Sequence, residues 1–105
     1  MNHGKNKHDQ AVDELELLVR DQYQIVMKNV VYRMPPSRRD SGELDLVGIN
    51  GDCWDIYEVK SNDGYDKAVS QMDRAYLLLG DCAQISTFYY SGKDKKIIPI
   101  HYNKN

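Results

Sequence analysis

Two strand-like runs, residues 43–49 and 54–60, stand on either side of Asn50 and Gly51. Asn-Gly between such runs is a strong short-range signal for a β-hairpin, because both residues tolerate the positive φ that a tight turn requires. Side chains alternate along a strand, so Glu43 and Asp45 share one face of the first run, and Glu58 and Lys60 share one face of the second. Two registers are compatible with the turn. A tight turn at Asn50 and Gly51 pairs 49 with 52 and therefore 43 with 58, whereas a four-residue loop over 50–53 pairs 45 with 58 and 43 with 60. In either register all four charged groups are expected on one face.

Three carboxylates and one ammonium so close together repel one another and lose hydration, at a cost of several kcal/mol unless positive charge sits among them. A hard divalent cation with oxygen ligands meets that need. Mg²⁺ takes one or two carboxylates and completes its shell with water and phosphate oxygens.

The string Gly42-Glu43-Leu44-Asp45 followed by Glu58-Val59-Lys60 resembles the PD-(D/E)XK nuclease superfamily. The flanking order is similar to that of its small single-domain members, the archaeal Holliday junction resolvases and related bacterial endonucleases. The likeness covers roughly residues 9–80, its specific part is 42–60, and Leu44 stands where most members carry Pro. The resemblance implies an α/β restriction-endonuclease-like fold, a central mixed sheet flanked by helices in the order αβββαββ. It also implies Mg²⁺-dependent hydrolysis of DNA phosphodiester bonds, with Mn²⁺ able to substitute. Asp45 and Glu58 would hold the metal, the carbonyl of Val59 would join them, and Lys60 would assist the attacking water. Glu43 stays open between a second metal, a pair with Lys60 and plain exposure to solvent.

Residues 9–22 have helical periodicity, with Ala11, Val12, Leu15, Leu18 and Val19 on one broad face. Glu14 lies on the shoulder of that apolar arc, where an unpaired carboxylate is costly. Small resolvase-type nucleases bring one more Glu from their first helix to the metal, and the resemblance nominates Glu14, the alternative being a shoulder residue near Arg20 or Lys28. Residues 24–33 read as the first strand, bulged around Lys28 and Asn29. The loop that follows carries Arg38 and Arg39 among turn residues just ahead of the acidic face, which suits a phosphate backbone. A second helix is expected over 65–80, with Ala68, Val69, Met72, Ala75, Tyr76 and Leu79 as its buried stripe. Lys67, Gln71 and Arg74 run along one edge of that stripe. Gln71 resembles an auxiliary residue of the family, and Lys67 and Arg74 could reach DNA, the plain alternative being a polar helix surface. Two further strands follow at 84–90 and 96–102, the last an edge strand because it contains Pro99.

At 105 residues, 41% hydrophobic and 29% charged, the chain has room for a single domain with one modest core, its first eight residues flexible. No run approaches the roughly 18 apolar residues of a membrane span, and the polar start lacks a signal sequence, so an intracellular, cytoplasmic protein is expected. Cys53 and Cys82 read as reduced residues rather than a disulfide or zinc pair, and His3, His8 and His101 have no ligand spacing. A net charge of −2 argues weakly against nucleic acid, an objection softened by clustered Lys and Arg and by the charge of a bound ion. The eight tyrosines do not alternate with basic residues as stacking platforms would.

The leading expectation is a structure-selective DNA endonuclease acting as a homodimer on branched DNA, since paired cuts across a junction require two-fold symmetry. An edge strand or the helix face carrying Tyr76 and Leu79 would join the two copies. The alternatives are a repair, restriction or phage-type nuclease acting on ends or flaps, and a nuclease-fold nucleic-acid-binding module without activity.

Overall fold

The computed structural model describes residues 6–33, 42–62, 64–80 and 83–101. Over them the order is α1 (Lys7–Val19), a 3₁₀ turn (Arg20–Gln22), β1 (Ile25–Tyr32), β2 (Gly42–Asn50), β3 (Cys53–Lys60), α2 (Tyr65–Leu79), β4 (Gln84–Ser91) and β5 (Lys96–His101). This is the expected αβββαββ order, a mixed α/β architecture. The five strands lie in one sheet in chain order, β1-β2-β3-β4-β5. The β3–β4 pair is parallel because α2 carries the chain back across the sheet, and the other three pairs are antiparallel. Pro99 sits in β5, at an edge, where its missing N–H leaves no ladder bond unmade on the open side.

The first helix starts earlier than its periodicity suggests. Asn6 caps it, its side-chain oxygen accepting from the Asp9 N–H at 2.8 Å, so residues 7 and 8 are helical rather than flexible. Its buried line is Ala11, Val12, Leu15 and Val19. Leu18, expected on that face, is instead 58% exposed, because at 100° per residue it lies outside the arc those four residues span. Lys28 of β1 fastens the helix from the side, its ammonium 2.9 Å from Asp13 and 3.2 Å from Glu16.

The two helices cover opposite sides of the sheet. On the α1 side, Leu46, Tyr57, Val59 and Tyr90 pack against the helix line; on the α2 side, Val47, Ile56 and Ile85 pack against Met72 and Ala75. Each fully buried aliphatic side chain of this kind contributes about 1.5–3 kcal/mol. Tyr76 and Leu79 are half-buried in the α2 layer, so the helix face expected to join two copies is already used by the core.

One irregularity matters for everything that follows. Residues two apart on a strand share a face, yet Leu46 packs on the α1 side and Leu44 on the α2 side. The same reversal occurs in β1, where Val26 packs with the α1 layer and Val30 and Tyr32 with the α2 layer. The register is unchanged across it, Lys28 pairing with Leu46 and Val30 with Leu44. Asn29 lies at the reversal with φ 56, a left-handed conformation that Asn adopts more readily than most residues. The bulge expected around Lys28 and Asn29 is absent, since no residue is inserted; a change of facing stands there instead, and Asp45 occupies the same level of β2.

The hairpin turns on Gly51 and Asp52, with Asn50 paired to Cys53 and Gly51 at φ 57. That is one residue beyond a turn at Asn50 and Gly51, and it yields the register that sets 45 opposite 58. Asn50 has other work. Its side chain accepts from the Gln24 N–H at 2.9 Å and donates to the Gln22 carbonyl at 2.8 Å, tying the hairpin tip to the start of β1.

Gly48 is required by a close approach. A Cβ there would lie 2.4 Å from the ring of Tyr23, whose hydroxyl donates to Asp55 at 2.6 Å and hydrogen-bonds to that of Tyr57. Gly48→Ala is therefore expected to lower stability by about 1–3 kcal/mol in urea unfolding, as overpacking does. In a Tyr23→Ala background most of that penalty should vanish; an undiminished penalty would locate the clash elsewhere.

Candidate functional site

The β2–β3 ladder runs from Asn50↔Cys53 to Leu46↔Tyr57 and opens there. In place of the next ladder bond, the Val59 N–H donates to the Asp45 carboxylate, Oδ2, at 2.9 Å. The Lys60 carbonyl accepts from the Gly92 N–H at 2.8 Å, so Lys60 turns its backbone groups toward β4. Neighbouring strand residues direct theirs to opposite edges, and one residue's N–H and C=O leave toward the same edge. The carbonyl of Val59 is accordingly aimed, like its N–H, into the gap beside Asp45.

Glu58 borders the same gap. Asp45 and Glu58 are 6% and 4% exposed, unusual for carboxylates, which are almost never fully buried unless paired. Burial first, and the charge and hydrogen bond of neighbouring Asp45 after it, push the Glu58 carboxyl up to about 7 against the opposing effect of Lys60. The Lys60 ammonium stands 3.2 Å from Glu58 Oε2. One cation thus faces two buried carboxyl groups, and the pair has room for more positive charge.

The flanks come from both layers. His8 Nε2 lies 3.3 Å from Asp45 Oδ2, and its Nδ1 lies 3.6 Å from Asp9. From the α2 side comes Tyr32, whose hydroxyl is raised chiefly by burial, with Arg74 lowering and Glu58 raising it through their charges. Tyr32, Glu43, Gln71, Met72 and Arg74 line a cleft of about 100 Å³. Gly42 belongs to this arrangement, because a Cβ there would lie 2.4 Å from the Tyr32 hydroxyl oxygen.

The structure therefore brings together Asp45, Glu58, Lys60 and the Val59 backbone, while Gln71 and Arg74 line the adjoining cleft with Tyr32. It does not bring Glu14 to them. The Glu14 carboxylate accepts from the Tyr90 hydroxyl at 2.6 Å and from Lys95 at 2.7 and 2.9 Å, contacts that lower its pKa, Lys95 most of all. It lines a separate cleft of about 250 Å³ with Lys7, Gln10, Ser61, Gly92 and Lys95. Glu43 is exposed at the rim of the cleft with Gln71 and Arg74 and forms no ion pair with Lys60 among the described residues. Lys67 is exposed on the first turn of α2. Arg38 and Arg39 lie outside the described residues.

His8 is the neighbour that sequence reasoning missed. The signal was present: His8 precedes Ala11, Val12 and Leu15 by three, four and seven residues, which puts it in the middle of the buried stripe.

Among the described residues no three His, Cys, Asp or Glu side chains are grouped to hold a metal ion. The donors present are two carboxylates and a carbonyl. A small hard cation that keeps most of its waters needs no more protein ligands than that, whereas a zinc-type ion ordinarily takes three or four. Two buried carboxyl groups facing a single lysine leave a place where a cation is favourable. No family model, no curated protein and no solved structure matches this chain.

The Glu58 environment fixes a pH dependence. A carboxyl whose pKa is higher folded than unfolded stabilises the protein fully below the unfolded value, near 4.5, and loses that contribution as pH rises through the folded value, about 7. In chelator, the stability difference between parent and Glu58→Gln is therefore expected to fall by more than about 1 kcal/mol between pH 4.5 and 7.5. Urea titrations at several pH values measure it, and a constant difference would show that the buried pair is not under electrostatic stress.

Proposed function

We propose that this chain is a divalent-metal-dependent nuclease that hydrolyses DNA phosphodiester bonds. The observation that carries the reading is the buried Asp45–Glu58 pair, with Lys60 3.2 Å from Glu58, at the point where the β2–β3 ladder opens. The likeness of Gly42-Glu43-Leu44-Asp45 and Glu58-Val59-Lys60 to the PD-(D/E)XK pattern supports it from the sequence.

Asp45, Glu58 and the Val59 carbonyl would hold Mg²⁺ or Mn²⁺. The ion, when bound, supplies Lewis-acid polarisation of the scissile phosphate and a lowered pKa for water. The Val59 N–H fixes the Asp45 carboxylate through Oδ2 and so holds it in place beside Glu58. Lys60 places a positive charge next to Glu58, where it stabilises negative charge that builds up on the phosphate oxygens. Arg74, Lys67, Arg38 and Arg39 would meet the phosphate backbone. Branched DNA is the proposed substrate, acted on by two copies that cut with two-fold symmetry.

Two measurements test this. Mn²⁺ or Mg²⁺ is expected to raise the melting temperature of the parent, and Asp45→Ala to remove most of the rise; equal stabilisation of both proteins would exclude Asp45 as a ligand. Labelled four-way junction, flap, duplex and single-stranded DNA should be cut with Mg²⁺ and left intact with chelator, the junction giving paired symmetric nicks. Lys60→Ala should bind DNA as the parent does and cut about 10² times more slowly or worse, the effect of losing a transition-state electrostatic group. Normal cutting by that variant would make Lys60 a surface lysine.

A further inference from the structure

A larger cleft of about 540 Å³ lies one strand away from the carboxylate pair, lined by Gly64, Tyr65, Asp66, Lys67, Tyr89, Asp94 and Ile98. Its position is set by the sheet. Glu58 and Tyr89 are register partners in the parallel β3–β4 ladder, so their side chains stand side by side on the α2 face. Gly64 links the two places from above, since a Cβ there would lie 2.9 Å from the Lys60 side chain. One wall is the first turn of α2 and the other is the β4–β5 hairpin.

The lining is aromatic where a ligand would enter. Tyr65 meets Tyr89 edge to face, 5.4 Å between centroids at 82°, and Tyr89 is buried while Tyr65 is 43% exposed. An edge-to-face contact occupies at most one face of Tyr65, so the other is open for stacking. Ile98, 37% exposed, adds an apolar contact, and the Asp66 and Asp94 carboxylates and Lys67 ammonium bring acceptors and a donor to the rim. A flat heteroaromatic ring with amino and carbonyl groups at its edge suits this mixture, and the volume lies in the range of small-molecule sites.

The geometry points to a pocket for one unstacked nucleobase beside the phosphate that the Asp45–Glu58–Lys60 centre acts on. The pocket's role in cleavage rests on the nuclease reading above. It gives a physical origin for structure selectivity: a base inside a regular duplex cannot reach Tyr65, whereas a base in a flap or single strand is already unpaired, and the last pair at a branch point opens at lower cost than one inside a duplex.

The test measures binding alone, by fluorescence anisotropy of a labelled single-stranded 12-mer with Ca²⁺ as the ion, for the parent, Tyr65→Phe, Tyr65→Leu and Tyr65→Ala. Base-aromatic stacking predicts about tenfold weaker binding for the Leu and Ala variants, and affinity within about twofold of the parent for Phe. A single abasic nucleotide, moved along the strand, should weaken parent binding by a similar factor at one position and add nothing in Tyr65→Ala. Fully paired duplex should bind parent and Tyr65→Ala equally. Tyr65 is half-exposed, and melting curves of the Leu and Phe variants check folding independently of the Ala change. Parent-like affinity in Tyr65→Ala and Tyr65→Leu, or abasic losses that persist in Tyr65→Ala, would overturn the pocket. Base-dependent binding with no cleavage under any metal would retain the pocket and defeat the nuclease reading, and failure to bind any strand would defeat both.

Discussion

The hydrogen bond from the Val59 N–H to the Asp45 carboxylate is what the arrangement around the gap depends on. In an uninterrupted hairpin that N–H would go to a carbonyl of β2, and a side chain at position 45 would point to one face of a closed sheet. Here the ladder stops after Leu46↔Tyr57, the carboxylate takes over as acceptor for the Val59 N–H, and the Val59 carbonyl is aimed into the gap. The reversal of facing shared by β1 and β2 is the other half of the same event. It lets Leu44 join one apolar layer and Leu46 the other, so five consecutive residues of β2, 44 to 48, are all buried. Asp45 thus lies in the middle of the hydrophobic structure without covering either face.

Such an arrangement opposes stability locally. A carboxyl group pushed up to about 7 by burial is one the fold would hold more easily if it were neutral. Two other charged groups among the described residues are matched by partners: Lys28 sits between Asp13 and Glu16, and Glu14 is held by Tyr90 and Lys95. The contrast singles out Asp45 and Glu58, since proteins concentrate unfavourable local electrostatics where chemistry requires it.

Much of this was legible beforehand, and for physical reasons. Hairpin periodicity and an Asn-Gly turn determined β2 and β3, and parity placed Glu58 and Lys60 on one face; the helical stripe of α2 and the edge position of Pro99 followed from equally local rules. Three things were not legible. Glu14 and His8 both belong to α1, and choosing between them needed the helix start, which Asn6 fixes through a cap five residues before the first apolar position, Ala11. The reversal of facing at Asn29 and Asp45 is a backbone event that alternation cannot express. Which of the two possible registers the hairpin takes was settled from outside it: 45 stands opposite 58, with Asn50 tied to Gln22 and Gln24.

Asn29 has one more effect, on how the molecule meets copies of itself. A sheet's outer strands are the natural templates for adding another strand, and β1 and β5 are the outer strands here. On β1 the left-handed residue at 29 interrupts the row of backbone groups halfway along its length, and on β5 Pro99 removes a donor. Continuous strand addition is blunted at both margins, which protects a small sheet protein from edge-to-edge aggregation. Exposed apolar side chains stand on the outer helix surfaces as well, Leu17 and Leu18 of α1 and Leu77 of α2.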